Sequence, residues 1–198
     1  MTTTVDGRTA RRDRNRDAVL DAVIELFTEG VLDPSVPEVA ARSGVSLRSV
    51  HRYFEDRDEL VRAAIARNLE RTAPLFDIPD LGVGRFDQRV ERFVAARLRL
   101  YEATAPMARV ALRRASTNPI IAERLEATWQ ILRDQLEAMF APELDALGTA
   151  ERRAMLAAAD VLCGFEGLEH LLVRRGFSVA RSRDVLTRSL RALVVERP

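Results

Sequence analysis

Between Arg48 and Tyr53 five of six side chains donate hydrogen bonds: Arg48, Ser49, His51, Arg52 and Tyr53. Clustered donors of these types suit phosphate oxygens and base edges, and the His51 donor is sensitive to protonation. Nothing in the chain offers comparable material for catalysis. Neither His51 nor His170 sits in a nucleophile or metal arrangement, no glycine-rich phosphate loop is present, and no serine elbow follows a strand. Cys163 is the single cysteine, so an internal disulfide is excluded and a zinc site lacks ligands; a structural buried thiol is expected. The sequence reads as a non-enzyme with no cofactor and no metal.

The donors need an element that presents them together. Ser35-Val36-Pro37-Glu38 has the spacing of a capping box, in which the Ser35 hydroxyl accepts from the Glu38 amide while the Glu38 carboxylate accepts from the Ser35 amide. A helix therefore begins near Val36, with Val36, Val39 and Ala40 on one face. Gly44 follows where the chain must turn through a left-handed residue, and Ser46 stands as cap of a second helix that carries the donors. Two short helices at a fixed turn, residues 35–54, form a helix-turn-helix signature.

These residues resemble the tetracycline-repressor (TetR) family of transcriptional regulators. The resemblance rests on Ile24-Glu25-Leu26-Phe27, Gly30, the stretch Ser35 to Phe54, and Arg57-Asp58-Glu59-Leu60, and is specific over roughly residues 14–65. His51 stands where the family pattern usually has Tyr, Arg48 where Gly is common, Val50 for Leu, Ser49 for Thr and Arg57 for Lys. The resemblance implies a homodimer on a double-stranded, inverted-repeat operator, released by a small apolar or amphipathic effector. The expected DNA-binding residues are Ser35, Ser46, Leu47, Arg48, Ser49, His51, Arg52, Tyr53 and Arg57. Arg48 is the sharpest candidate for base reading, since a guanidinium near the start of the second helix can grip the O6 and N7 of guanine.

A net charge of +1 over 198 residues looks small for a nucleic-acid partner until it is mapped along the chain. Residues 1–16 carry five Arg (8, 11, 12, 14, 16) against Asp6 and Asp13. Residues 42–57 carry Arg42, Arg48, Arg52 and Arg57 against Glu55 and Asp56. Between them Asp17, Asp21, Glu25, Glu29, Asp33 and Glu38 stand with no base at all. The first four recur every four residues, a stripe opposite the apolar Val19, Ala22, Val23, Leu26 and Phe27. A solvated helix face pointing away from DNA is the expectation for it. All 31 basic residues are Arg, which reflects genome base composition rather than function.

The rest of the chain shows helical periodicity and no β pattern, so the predicted fold is all-α. A three-helix helix-turn-helix domain precedes a larger helical bundle, with about nine helices in total. The expected divisions are a basic amino-terminal arm (1–16), the DNA-binding domain (17–60, motif 35–54), a connecting helix and loop (61–84) and an effector and dimerisation domain (85–198). Asp56-Arg57-Asp58-Glu59 reads as a second capping box. Pro and Gly punctuate 72–84; helices are predicted over 85–103, 106–115, 119–140, 149–175 and 178–195.

The last two helices, about 149–175 and 178–195, are apolar on more than one face, and the resemblance implies that they pair with their copies across a two-fold axis. Leu162, Phe165, Leu168, Leu172, Leu186, Leu190 and Leu193 are the expected dimer residues. The effector set implied for the bundle is Phe93, Arg97, Tyr101, Met107, Trp129, Leu132, Leu162 and Glu166. No apolar run reaches the roughly 18–20 residues that span a bilayer, and MTTTVDGRTARRDRNR lacks a signal peptide's apolar segment, so a cytoplasmic location with no membrane partner is expected. A helical module that binds only proteins would not need the donors of residues 48–53, and steep salt dependence separates it from a DNA binder.

Overall fold

The computed structural model describes residues 7–195, and among them the regular structure is helical throughout. Ten α-helices run in order: α1 (Gly7–Thr28), α2 (Val36–Ser43), α3 (Leu47–Tyr53), α4 (Arg57–Thr72), α5 (Phe86–Ala115), α6 (Pro119–Met139), α7 (Ala141–Leu144), α8 (Thr149–Cys163), α9 (Phe165–Glu169) and α10 (Val179–Val195). The all-α expectation holds. The chain divides into two compact units, one of residues 1–71 with 106–122, the other of 72–105 with 123–198. This differs from the single cut expected at the 61–84 segment: α4 up to Arg71 stays with the first unit, and the chain returns to it later.

Three further differences have physical causes. α1 starts at Gly7, so Arg11, Arg12, Arg14 and Arg16 lie on helix rather than on an arm; Met1 to Asp6 and the Arg8 side chain lie outside the described residues. The predicted helices 85–103 and 106–115 are one, with Pro106 inside. Proline removes one amide and leaves the Glu102 carbonyl without its helical donor, but Glu102 is exposed and water can serve it. The predicted helix 149–175 breaks at Gly164, whose ψ of 174° is extended. It resumes as α9 and ends in a π turn over His170–Arg174, where the Arg175 amide donates to the His170 carbonyl at 2.9 Å.

In the first unit the apolar face of α1 forms the core, with Val19, Ala22, Val23, Leu26 and Phe27 all buried, joined by Val39, Val50 and Phe54. The opposite stripe is not simply solvated. Arg42 of α2 makes a two-pronged contact with Glu29 at 2.7 and 2.8 Å and lies 3.6 Å from Glu25. Arg67 of α4 reaches Asp17 at 3.0 Å and Asp21 at 2.9 Å, and Arg71 reaches Asp21 at 2.9 Å. The stripe docks α2 and α4 onto α1. Arg114, near the end of α5, bridges Asp33 at 2.8 Å and Asp58 at 2.6 Å within the same unit.

The second unit packs Phe93 edge-on to Phe140 at 5.5 Å between ring centres, around a core that includes Leu136, Leu144, Met155 and Cys163. Leu168, Leu186 and Leu190 are 2%, 0% and 0% exposed and belong to this core. Three of the seven residues expected at a dimer face are therefore covered by their own chain, because α8 packs against both α10, which carries Leu186 and Leu190, and α9, which carries Leu168. Arg89 is also buried; it pairs with Glu143 and donates to the Met139 carbonyl at 2.6 Å.

The α1 ion pairs carry a pH signature. The Arg67 hydrogen bond, ahead of the weaker pull of Arg71, holds the Asp21 carboxyl below its ordinary 3.8. A lowered carboxyl stabilises the fold above its unfolded pKa, and that contribution fades as pH falls through the folded value. Asp21→Asn should therefore lower stability by up to about 1 kcal/mol at neutral pH, the site being over a third exposed. Urea unfolding of both proteins should show the gap closing as pH drops below about 4.

Candidate functional site

The donor cluster sits on a frame set by local caps. The Ser35 hydroxyl accepts from the Glu38 amide at 3.4 Å while the Ser35 amide donates to the Glu38 carboxylate at 2.7 Å, the expected capping box. That bonding, the Ser35 hydroxyl's own donation first, holds the Glu38 carboxyl below its usual range. Gly44 ends α2 at φ 67°, ψ 11°, the left-handed region that only glycine enters freely. Ser46 then caps α3, its hydroxyl accepting from the Ser49 amide at 3.3 Å and donating to the Ser49 hydroxyl at 3.0 Å. At α4 the Asp56 carboxylate accepts from the Glu59 amide at 2.6 Å, but the Glu59 carboxylate takes the Glu55 amide rather than that of Asp56. The second box is thus offset by one residue.

On α3 the side chains of Leu47, Arg48, His51 and Arg52 are exposed and Ser49 is half-buried, while Val50 turns into the core. Leu47 is 43% exposed, an unusual setting for a large apolar side chain on a seven-residue helix. Tyr53 buries its ring but keeps its hydroxyl beside Arg52 and Asn15, and the hydrogen bond from Arg52 holds its pKa below 10. Arg16 lies over the Phe54 ring at 5.2 Å, which brings one base of α1 next to the end of α3.

The four arginines of residues 42–57 are not equivalent. Arg42 is held by Glu29 and Glu25. Arg57, expected on phosphate, turns to the loop before α2: its Nε donates to the Pro34 carbonyl at 3.0 Å and it pairs with Asp33. Arg48 and Arg52 remain as the outward cations, with no carboxylate among the described residues paired to either. Nothing at the level of residue counting separates these pairs; the Arg57 contacts run to residues more than twenty positions away.

The effector set expected from the sequence divides into several fates. Phe93 is fully buried beneath Arg97, 4.5 Å from its ring centre, and Leu162 packs on the core. Met107 belongs to the other unit, because the unbroken α5 carries it there. Within the second unit Arg97, Tyr101 and Leu132 line a small inner cavity of about 50 Å³. Trp129, Leu132 and Glu166 line an outer cleft of about 340 Å³. Thr104, Cys163 and Phe165 at the cavity, and Asp160 and Val161 at the cleft, were missed as lining residues. The Gly164-x-x-Gly167 spacing was the available signal: a Cβ on Gly164 would stand 2.7 Å from the Asp160 carbonyl, and one on Gly167 would overlap the carbonyls of Val161 and Leu162. No group of residues able to hold a metal ion occurs among the described residues, and no helix there is long and apolar enough to cross a membrane.

Residues 19–64 match the family model described as bacterial regulatory proteins, tetR family. The chain is 30% identical over 77 residues to the HTH-type transcriptional regulator SrpR of Pseudomonas putida, covering 38% of this chain and 36% of that protein. It is 29% identical over 89 residues to the HTH-type transcriptional repressor LfrR of Mycolicibacterium smegmatis, covering 45% and 47%. The chain thus spans between about a third and somewhat over half of the length of the curated relatives it matches. Among solved structures, a tetR-family regulator from Streptomyces coelicolor superposes with a TM-score of 0.71 at 21% identity, covering 91% of this chain and 80% of that one. LfrR from Mycobacterium smegmatis in complex with proflavine superposes with a TM-score of 0.55 at 22% identity, covering 93% and 99%. At these identities the two structures establish a shared fold.

Two substitutions probe the frame. Ser46→Ala removes the α3 cap and should lower stability by about 1 kcal/mol in urea unfolding. Gly167→Ala forces a methyl into backbone carbonyls and should lower it by about 3 kcal/mol.

Proposed function

We propose that this chain, whose residues 19–64 match the tetR family of bacterial regulatory proteins, is a member of that family and a sequence-specific, dimeric DNA-binding regulator of transcription. The observation that carries this reading is the sorting of arginines on the helix-turn-helix. Two cations are tied into the frame, while Arg48 and Arg52 are left on the exposed face of α3 with His51 and the Ser46 cap. A helix so equipped suits a major groove, with its amino-terminal residues on base edges. Arg48 and Ser49 read bases; Ser46, His51, Arg52 and the Tyr53 hydroxyl hold phosphates; Leu47 touches an apolar base edge; Ser35 and Arg57 fix the frame from which these act.

One such helix covers few base pairs, so two copies related by a two-fold axis would place their reading helices about 34 Å apart, or a multiple of that, on an inverted repeat. Support for the dimer comes from apolar surface left on the second unit: Val161 is 71% and Val173 is 54% exposed, beside the half-buried Leu162, Phe165, Leu172 and Leu193. Repression relieved by a small molecule is the mode we assign. The relative LfrR is named a repressor and its solved structure holds proflavine, and the present chain has a cleft where an effector can lodge. The exposed donors disfavour a purely protein-binding bundle.

Selection of duplexes from a random pool at about 150 mM salt tests the reading. An enriched inverted repeat is the expected result; binding confined to low salt without enrichment would overturn it. On the selected operator, Arg48→Ala should lose about 1–3 kcal/mol of discrimination at one base pair per half-site. Arg52→Ala should instead weaken all sequences alike and reduce the salt slope by about 1, whereas Arg42→Ala should leave that slope unchanged.

A further inference from the structure

Arg97 is 4% exposed, yet no carboxylate among the described residues forms an ion pair or hydrogen bond with it. Its guanidinium donates to two neutral acceptors, the Gln135 side-chain oxygen at 2.8 Å and the Leu132 carbonyl at 2.7 Å, and stacks on the Phe93 ring. The other buried arginine shows what is missing, since Arg89 has Glu143. Burial pushes Arg97 down to about 10, so it remains a cation at neutral pH, with the Asp160 charge acting on it only from a distance. It faces a cavity whose thiol, Cys163, is pushed up to about 12 by burial and stays neutral. A buried charge without a counter-charge is costly, and an arriving anion would relieve that.

The cavity sets the size of the anion. About 50 Å³ accommodates a carboxylate group or a few waters, not a whole effector. Leu132 and Phe165 line both this cavity and the larger cleft, so the two adjoin, and a molecule with its head at Arg97 has about 340 Å³ walled by Trp129 and Val161 beside it for its body. Asp160 and Glu166 stand at that outer cleft, where Arg133 is already paired with Glu126. The outer end therefore disfavours a second negative charge. Helix irregularities collect here as well, with the α8 to α9 break at Gly164 on the cleft wall and the π turn a few residues on.

We propose that Arg97 is the anion-binding end of a site for an amphipathic monocarboxylate whose apolar or aromatic body lies in the cleft beside Trp129 and Phe165. This rests on the reading above that the second unit takes a small effector, and adds its chemical class. The carboxylate replaces the missing counter-ion of Arg97, and the aromatic walls take the body; the Thr104 hydroxyl, on the same cavity, already donates to the Leu100 carbonyl at 2.7 Å. Phe165 also belongs to the apolar set assigned to the dimer, so an occupied cleft alters the surface that two copies share.

Trp129 is the single tryptophan of the chain, so intrinsic fluorescence of the full-length protein reports on the cleft. The probes are phenylacetate, the isosteric neutral phenylacetamide, phenethylamine and phenylene diacetate. Phenylacetate should bind at least about tenfold tighter than phenylacetamide and than the dianion. Arg97→Gln should bring acid and amide level. Thr104→Asp, which keeps Arg97 and places a carboxylate in the same cavity, should abolish acid binding while the amide still binds. Equal binding of acid and amide to the parent protein, preference for phenethylamine, no saturable binding, or a Thr104→Asp protein that keeps its acid preference would each overturn the assignment. Operator binding separates this from the broader reading. An enriched operator with no acid preference sinks the assignment alone, whereas acid preference without any change in operator affinity keeps the site and sinks its role as effector site.

Discussion

The pairing of the α1 carboxylates with Arg42, Arg67 and Arg71 is the constraint on which the amino-terminal unit depends. It is a surface network, and each pair taken singly contributes little in water. Its effect is allocation. Arg42 is drawn back onto α1 by Glu29 and Glu25, and Arg57 is drawn to Asp33 and the Pro34 carbonyl. Arg48 and Arg52 are left outward on a helix held by the Ser46 cap. A domain with almost balanced charge can in this way present a cationic face to a polyanion, since what steers binding is the field at the surface rather than the total.

Asp33 ties this frame to a later part of the chain. Its carboxylate meets Arg57 from the start of α4 and Arg114 from the end of α5, and Arg114 also meets Asp58. The loop entering α2 is thereby held from two sides. The α5 helix runs through both units without a break, despite Pro106, so the turn that carries Arg114 is covalently continuous with the turn that carries Arg97 and Tyr101.

What was legible in the sequence was local. Caps and turn chemistry act over three or four residues, so Ser35 with Glu38, Gly44 and Ser46 could be placed by spacing, and the 3.6-residue period of α1 gave its core from Val19 to Phe27. What escaped was set by distant partners or by packing. Arg57 reads as DNA-facing, and Arg42 counts toward the basic stretch, until their acidic partners, about 24 and 13 residues away, come into view. Pro106 reads as a helix start because its backbone cost is local, whereas the packing that overrides it is not. The break at Gly164 is marked by the Gly164-x-x-Gly167 spacing, but the helical periodicity running on either side of it masks the interruption. Leu168, Leu186 and Leu190 look like surplus apolar surface on single helices, and only the packing of α8 against α9 and α10 shows them covered.

The buried guanidinium of Arg97 bears on how a ligand could do more than occupy space. A ligand shifts a conformational equilibrium only by the difference in its affinity for the two states. An apolar molecule that fills a preformed cleft binds any state in which the cleft survives, and so discriminates weakly between them. A buried cation is different, because the free energy of pairing it depends steeply on how dry its surroundings are and on where the counter-charge sits. In a state where Arg97 stays enclosed with Gln135 and Leu132, the carboxylate gains a desolvated partner; in a state where the α8–α9 break opens to water, that gain collapses. On the proposed carboxylate site, differential affinity would then be a property of the dryness at one side chain, with the α8–α9 segment on the cleft wall as the element placed to change it.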